Sequence, residues 1–300
     1  MRYHYITVDV FTNQRFGGNQ LAVIPDARGL TTEQMQTITR EFNFAESTFV
    51  LLPASPENDA QVRIFTPGRE VPFAGHPNVG TGYVLAALGQ VQGKPVADTL
   101  RFEEKAGLVT LTIARDAAGS PISTEFTAPA ALELGDAVPA AHVAQAAGMT
   151  EQQIVQTNHT PRMASVGLPF TIAELPDLAT LGAAKPDLAA FDQHFTRLPG
   201  DAIYFYVRTG SDSVQARMFA PLHGVLEDSA TGSAAAALTG FLAHLNPAES
   251  GSFPVSITQG VEMGRPSLIH GSADKADGLV TAVRVGGPSV PVMEGFIQVS

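Results

Sequence analysis

Two stretches of this chain read alike. Residues 63–88 run RIFTPGREVPFAGHPNVGTGYVLAAL, and residues 217–242 run RMFAPLHGVLEDSATGSAAAALTGFL. Each opens with Arg, an apolar residue, Phe, a variable residue and Pro: Arg63, Phe65 and Pro67 in one, Arg217, Phe219 and Pro221 in the other. Each then passes through a turn into small residues and on into an apolar helix. With a two-residue gap in the turn, His76 aligns with Asp228, and Gly80 and Thr81 align with Gly232 and Ser233. A repeat offset by about half the chain predicts two similar lobes. It also suggests two helix N-termini facing one cleft.

The rest of the pattern fits mixed α+β lobes. Residues 3–11 alternate and are rich in β-formers, so they predict a strand. A turn at Phe16–Gln20 leads to a strand at 21–24. Thr31 with Gln34 three residues on forms a capping box, and Met35, Ile38 and Phe42 fall on one helix face. Strands are expected at 47–52, 61–66, 99–104 and 107–114, and a helix over 77–88. The second half predicts a helix near 139–147, strands near 153–158, 163–167, 202–207 and 214–219, short helices within 173–200, and a core helix over 230–244. About a dozen strands and five helices result, mostly joined by turns rather than crossover helices, which disfavours a doubly wound parallel sheet. The first lobe is expected to span 1–125, joined by a last strand at about 288–300, and the second 126–287.

Three positions invite chemistry. His76 follows Gly75 and precedes Pro77, which suits the first helical position. It is either a capping or partly buried histidine or a functional group near the positive end of a helix dipole. Asp228 is a natural N-cap for the helix after it. Gly232 and Ser233 lie where a helix favours Ala, and small residues there let backbone N–H groups approach an anion; Gly80–Gly82 in the first lobe are read in the same way. Glu46 sits between an amphipathic helix and an apolar strand. It is either an exposed loop residue or a desolvated carboxyl suited to acid/base work.

Composition removes other classes. The net charge of −11 argues against nucleic acid or an anionic membrane as a partner. No run of about 18 apolar residues predicts a membrane span. The sequence begins like a strand rather than a leader, so the expected location is cytoplasmic. There is no cysteine, which excludes disulfides, thiolate metal sites and thiol catalysis. The dinucleotide-binding, phosphate-loop, nucleophile-elbow and HExxH patterns are missing, so no cofactor and no metal are expected.

Taken together, several motifs resemble the PhzF-like family, named for the isomerase of phenazine biosynthesis. They are Gly18-Asn19 before the strand LAVI, Ala45–Val50, Arg63–Pro67, Phe73–Pro77 with Gly80-Thr81, Pro161-Arg162, Val166–Pro169, Arg217–Phe219, Glu227–Ala234 and Gln259–Ser267. The resemblance implies a diaminopimelate epimerase-like α+β fold: two similar lobes related by a pseudo-twofold, each a curled, mostly antiparallel sheet around a central helix. It implies a homodimer and a cofactor-independent isomerase that moves a proton between carbons of a small carboxylate metabolite. Carried over by motif, Glu46 is the general acid/base, and His76 and Asp228 contact and orient the substrate. Asn19, Gly75, Gly232 and Ser233 bind it. An epimerase or racemase working without thiols, and a non-catalytic metabolite-binding member, are the alternative readings.

Overall fold

Alternation along β1 (Arg2–Val10) and the apolar run of β2 (Asn19–Ile24) bring these strands together antiparallel, with Val10 opposite Asn19. Helix α1 (Thr32–Phe42) begins with the expected capping box: Thr31 Oγ1 accepts from Gln34 N at 3.2 Å, and Gln34 Oε1 accepts from Thr31 N at 2.9 Å. Met35 and Ile38 pack inward with Ile24, Leu30, Phe49 and Phe65. The helix ends at Asn43, whose left-handed φ of 53° turns the chain into β3 (Glu46–Leu51). Strand β3 runs parallel to β2 and antiparallel to β4 (Ala60–Phe65). A two-residue strand β5 (Glu70–Val71) follows, then helix α2 (Gly75–Leu88), a small hairpin of β6 (Gln90–Val91) and β7 (Lys94–Pro95), and the meander β8 (Thr99–Glu104), β9 (Gly107–Arg115) and β10 (Pro121–Thr127).

Helix α2 is buried along nearly its whole length and packs on β1, β2, β3, β9 and β10. That explains its glycines. A Cβ on Gly80 would lie 2.6 Å from Leu21 Cδ2 and 2.7 Å from Val10 Cγ2, and one on Gly82 would lie 2.8 Å from Thr124 Cγ2. Both are therefore close-packing positions between helix and strands, which corrects their reading as openings for a ligand.

The computed structural model describes residues 1–299 and divides into two units, Met1–Pro129 with the chain from Gly286 onward, and Ala130–Val285. The second unit contains β11 (Glu133–Ala137), α3 (Ala140–Ala146), β12 (Arg162–Ser165), β13 (Pro169–Glu174), α4 (Leu178–Ala183), α5 (Leu188–His194), β14 (Ile203–Arg208), β15 (Ser213–Ala220), β16 (Val225–Asp228), α6 (Gly232–Leu245), β17 (Gly251–Gln259), β18 (Ser267–Ala276) and most of β19 (Leu279–Gly287). Helix α6 is buried among β12, β13, β17 and β18, and its run Ala234–Ala237 is fully enclosed. A second cluster gathers Val143, Leu181, Phe191, Phe195, Phe205 and Phe219. The final strand, β20 (Ser289–Gln298), pairs antiparallel with β1 in the first unit.

The architecture is thus a sheet-dominated α+β fold, with 20 strands and six α-helices among the described residues. The strands beyond the expected dozen include pieces of two residues, too short to show alternation. Residues 153–158 do not form the expected strand. They hold the end of a short 3₁₀ turn, Glu151–Gln153, and a single bridge from Val155 to Glu174. Both core helices begin elsewhere than expected: α2 two residues earlier, at Gly75, and α6 two residues later, at Gly232.

A tight fit sets the entry to β2. Gly18 has φ of 60°, and a Cβ there would stand 2.2 Å from the Val10 carbonyl oxygen. Gly18→Ala is expected to destabilise the fold by about 1–3 kcal/mol through this overlap. Gly89→Ala, at φ of 70° but with open space around it, carries only the backbone strain of about 1 kcal/mol. Urea unfolding of both variants checks this, and equal losses would contradict the steric argument.

Candidate active site

In the first unit, three strand and helix starts converge. Asn19 opens β2, Glu46 opens β3 opposite Leu21, and Gly75-His76 open α2. Asn19 Nδ2 lies 3.3 Å from His76 Nδ1, and His76 Nε2 lies 3.5 Å from Glu46 Oε2. His76 is only 3 % exposed. Burial pushes its pKa down to about 3, against a smaller opposing contribution from a hydrogen bond with the Gln20 backbone. The imidazole is therefore neutral, and its approach to Glu46 is not a salt bridge. Nε2 has no hydrogen-bond partner, and 3.5 Å is at the limit for such a bond. An imidazole nitrogen thus faces a carboxylate oxygen, with room between them for a proton to be placed. Glu46 keeps some contact with solvent, with 19 % of its side-chain surface exposed.

The loop before Asn19 is held by Asp9, whose Oδ2 accepts from Phe16 N at 2.6 Å. The segment before α2 is held by Arg63. Its Nε and one terminal nitrogen each donate to the Glu70 carboxylate at 2.8 Å, and this pairing holds Glu70 below the usual carboxylate range.

In the second unit the same device recurs. Arg217 donates to both oxygens of Glu227 at 2.7 and 2.8 Å, and also to the carbonyls of Leu181 and Ala184. Asp228 follows directly, but it is not the cap of α6. The N-cap is Thr231, which makes no side-chain cap bond. Asp228 ends β16 opposite Met218, and its Oδ2 accepts from Thr231 Oγ1 at 2.7 Å. Gly232 and Ser233 form the first turn of α6, both buried. Helix α2, capped at Ala74, also lacks a side-chain cap, and neither helix has an acidic residue in its first turn. Each start therefore presents backbone N–H groups and a positive dipole end without a carboxylate of its own, the condition for holding an anion.

The family model for phenazine biosynthesis-like proteins matches residues 8–295. An uncharacterized isomerase of Mesorhizobium japonicum is 37% identical over 299 residues, covering 97% of this chain and 97% of its own. Trans-2,3-dihydro-3-hydroxyanthranilate isomerase of Pseudomonas fluorescens is 36% identical, covering 98% of this chain and 99% of its own. Among solved structures, a PhzF-family protein of Bacillus anthracis has a TM-score of 0.88 at 24% identity over 100% of both chains, a likeness of fold. The fold is a sheet-dominated α+β fold like that of PhzF-family proteins. The chain belongs to the phenazine biosynthesis-like family of isomerases.

Sequence reasoning missed Glu104. Both of its carboxyl oxygens are buried without a hydrogen-bond partner, as is Asn78 Oδ1 on α2. Burial pushes Glu104 up to about 8, with the Asn78 side chain pulling weakly the other way. No local signal marks it, because its neighbour Glu103 is an ordinary loop-binding carboxylate that accepts from Ala54 N and Ser55 N.

His76 and Glu104 act oppositely on stability. The unfolded chain binds a proton at His76 below 6.5 that the folded chain does not bind until about 3. That contribution therefore rises with pH over this range. The folded chain keeps the Glu104 proton up to about 8, whereas the ordinary group loses it at 4.5. That contribution therefore falls with pH over this range. Each slope is about 1.4 kcal/mol per pH unit. From these two groups, stability rises from pH 3 to 4.5, is level to 6.5, and falls to 8. Denaturant midpoints of Glu104→Gln minus those of the parent chain are expected to widen steadily from pH 5 to 8. A gap that does not change with pH would place the Glu104 carboxyl in water.

Proposed function

We propose that the chain is a cofactor-independent isomerase that moves a proton between two carbons of a small carboxylate, with Glu46 as the acid/base. The observation that carries this reading is the Glu46 carboxylate set 3.5 Å from a neutral, buried imidazole beside an uncapped helix start. A carboxylate so placed takes a proton from a carbon whose electrons are delocalised into a neighbouring unsaturated group. After exchange with solvent at the partly exposed carboxyl, it delivers a proton to another carbon of the same system. The enzyme ends as it began, and no redox partner or second substrate is needed. His76, neutral at working pH, orients Glu46 and accepts or donates a hydrogen bond without competing for the proton.

On this reading Asn19 and Gly75 also bind the substrate. By the family motif, Asp228 orients it, and the backbone of Gly232 and Ser233 holds its carboxylate. Supporting this assignment are the missing side-chain caps on α2 and α6. The name of a relative supports a substrate class, trans-2,3-dihydro-3-hydroxyanthranilate or a close cyclic amino carboxylate. The motif repeat, and the arginine–glutamate pairing that recurs at Arg63–Glu70 and Arg217–Glu227, support two lobes of common design. The chain has no cysteine, so a two-thiol racemase mechanism is closed to it.

Incubating the enzyme with trans-2,3-dihydro-3-hydroxyanthranilate in D2O should place deuterium on one ring carbon, read by NMR. Glu46→Gln should slow this by about 10²–10⁴. If that variant exchanges as fast as the parent chain, Glu46 is not the acid/base.

A further inference from the structure

Glu104 and Gln259 hold the same place in their two units. Strand β8 ends at Glu104 and pairs parallel with β4, with Glu103 opposite Gln61, so Glu104 comes level with the residue before Arg63. Strand β17 ends at Gln259 and pairs parallel with β15, with Gln259 opposite Ala216, the residue before Arg217. Each strand follows its unit's buried helix, and the side chain of its last residue meets the start of that helix.

At α6 the meeting is direct. Gln259 is completely buried. Its Nε2 donates to Thr231 Oγ1 at 3.1 Å and its Oε1 accepts from Thr231 N at 3.2 Å, Thr231 being the N-cap. An amide does this without bringing a charge to the helix start.

At α2 the same place holds a carboxyl. The side chain that acts on it is that of Asn78, whose Nδ2 donates to the carbonyl of the N-cap residue Ala74 at 3.0 Å. That bond leaves Asn78 Oδ1 as an acceptor, and it is enclosed without a partner, as are both carboxyl oxygens of Glu104. A proton on Glu104 gives this group of oxygens a donor. A carboxylate gives it none and would be an enclosed, unpaired charge. The nearby cations, Arg63 of β4 and Lys105, are both tied to Glu70. Gly107, opposite Glu104 on β9, brings no charge, and His76 of α2 is neutral. The first unit thus has a neutral acid where the second has an amide.

We infer that Glu104 is a positioning residue that keeps the start of α2 free of negative charge, so that a substrate carboxylate can be held at Gly75. This rests on Gly75 binding the substrate, as proposed above. Once Glu104 loses its proton, its carboxylate becomes an acidic group built into the helix start. It then takes up the positive end of the dipole and repels an arriving anion. Burial delays that loss to about pH 8, so substrate holding weakens as pH rises through this value while Glu46 is unchanged.

The test compares the intact parent chain with Glu104→Gln, which gives the first unit the amide of the second. Anthranilate, a small aromatic amino carboxylate, serves as a non-reacting probe, its dissociation constant measured by calorimetry. Near pH 6 the two proteins should agree within about threefold. Near pH 9.5 the parent chain should bind about tenfold more weakly than Glu104→Gln, the scale of one charge at a helix start. For deuterium exchange into trans-2,3-dihydro-3-hydroxyanthranilate, the parent-to-variant ratio of KM should rise with pH in the same way, and that of kcat should stay level.

A second readout needs no variant and decides the matter if Glu104→Gln does not fold. The ¹³C carboxyl resonance of Glu104, assigned through its backbone, should titrate at about pH 8 in the free enzyme. With anthranilate bound the midpoint should move up by about one pH unit, because a tenfold coupling acts equally on both partners. A binding ratio that stays flat with pH, or a midpoint that anthranilate does not move, overturns the role of Glu104 and leaves the proposed reaction standing where exchange persists. If the parent chain neither binds anthranilate nor exchanges the substrate at any pH, the proposed reading of the site fails, and the role of Glu104 falls with it.

Discussion

A helix enclosed on every side imposes more on this structure than any single bond. Helices α2 and α6 are buried along nearly their whole length, so neither is amphipathic and each must fit among strands. Close fitting demands small residues. Gly80 and Gly82 admit side chains from β1, β2, β9 and β10, and Gly271 on β18 lies where a Cβ would meet Thr239 Oγ1 at 2.1 Å. Enclosure also governs the helix starts. The first backbone N–H groups of a helix have no partner within it. At α1, which lies at the surface, a capping box satisfies them; at α2 and α6 the N-cap side chains do not. The same burial that makes the core therefore leaves two places suited to an anion.

Burial likewise sets where protons sit. His76 is kept neutral, so the site can place an imidazole against Glu46 without a permanent ion pair. Glu104 is kept protonated beneath the same helix, where its charge would otherwise meet no partner. Ion pairs that must hold firm are made differently. Arg63–Glu70 and Arg217–Glu227 are two-pronged, a geometry that fixes orientation as well as charge. The segments leading into α2 and α6 are thus anchored by charges, while His76 is left uncharged and Asp228 accepts a directed hydrogen bond.

Much of this was legible in the sequence where the signal was local. Thr31 and Gln34 announced α1 through a capping box, and the motif around His76 announced α2. Glu46 and His76 are marked by their surroundings and Asn19 by the family motif, and the structure sets His76 within 3.5 Å of both others. What failed to show was long-range. Asp228 looks like an N-cap from its spacing, yet the chain continues as strand through it, because β16 pairs with β15. Gly80 looked like an opening for a ligand, yet β1 and β2 fill the space. His159 carries no local signal either, since its ring meets the hydroxyl of the distant Tyr206 at 2.9 Å. Gln259 stood inside a recognised motif without a role, since its meaning lies in four bonds to residues 204, 228 and 231.

The two aligned segments differ most where chemistry is decided. Each has its arginine on a strand, a glutamate clamped to it, and a helix without a side-chain cap. At the aligned position, however, one has a neutral histidine facing a carboxylate, and the other has an aspartate receiving a hydroxyl proton. A pair of identical acid/base groups would need two environments that poise both near the same proton affinity. These environments do the reverse: one strips charge from His76, and the other ties down an oxygen of Asp228. On the proposed reading, proton transfer then falls to Glu46, which lies outside the repeated segments. Asp228 keeps the fixed direction that orienting a substrate requires and that carrying a proton back and forth does not.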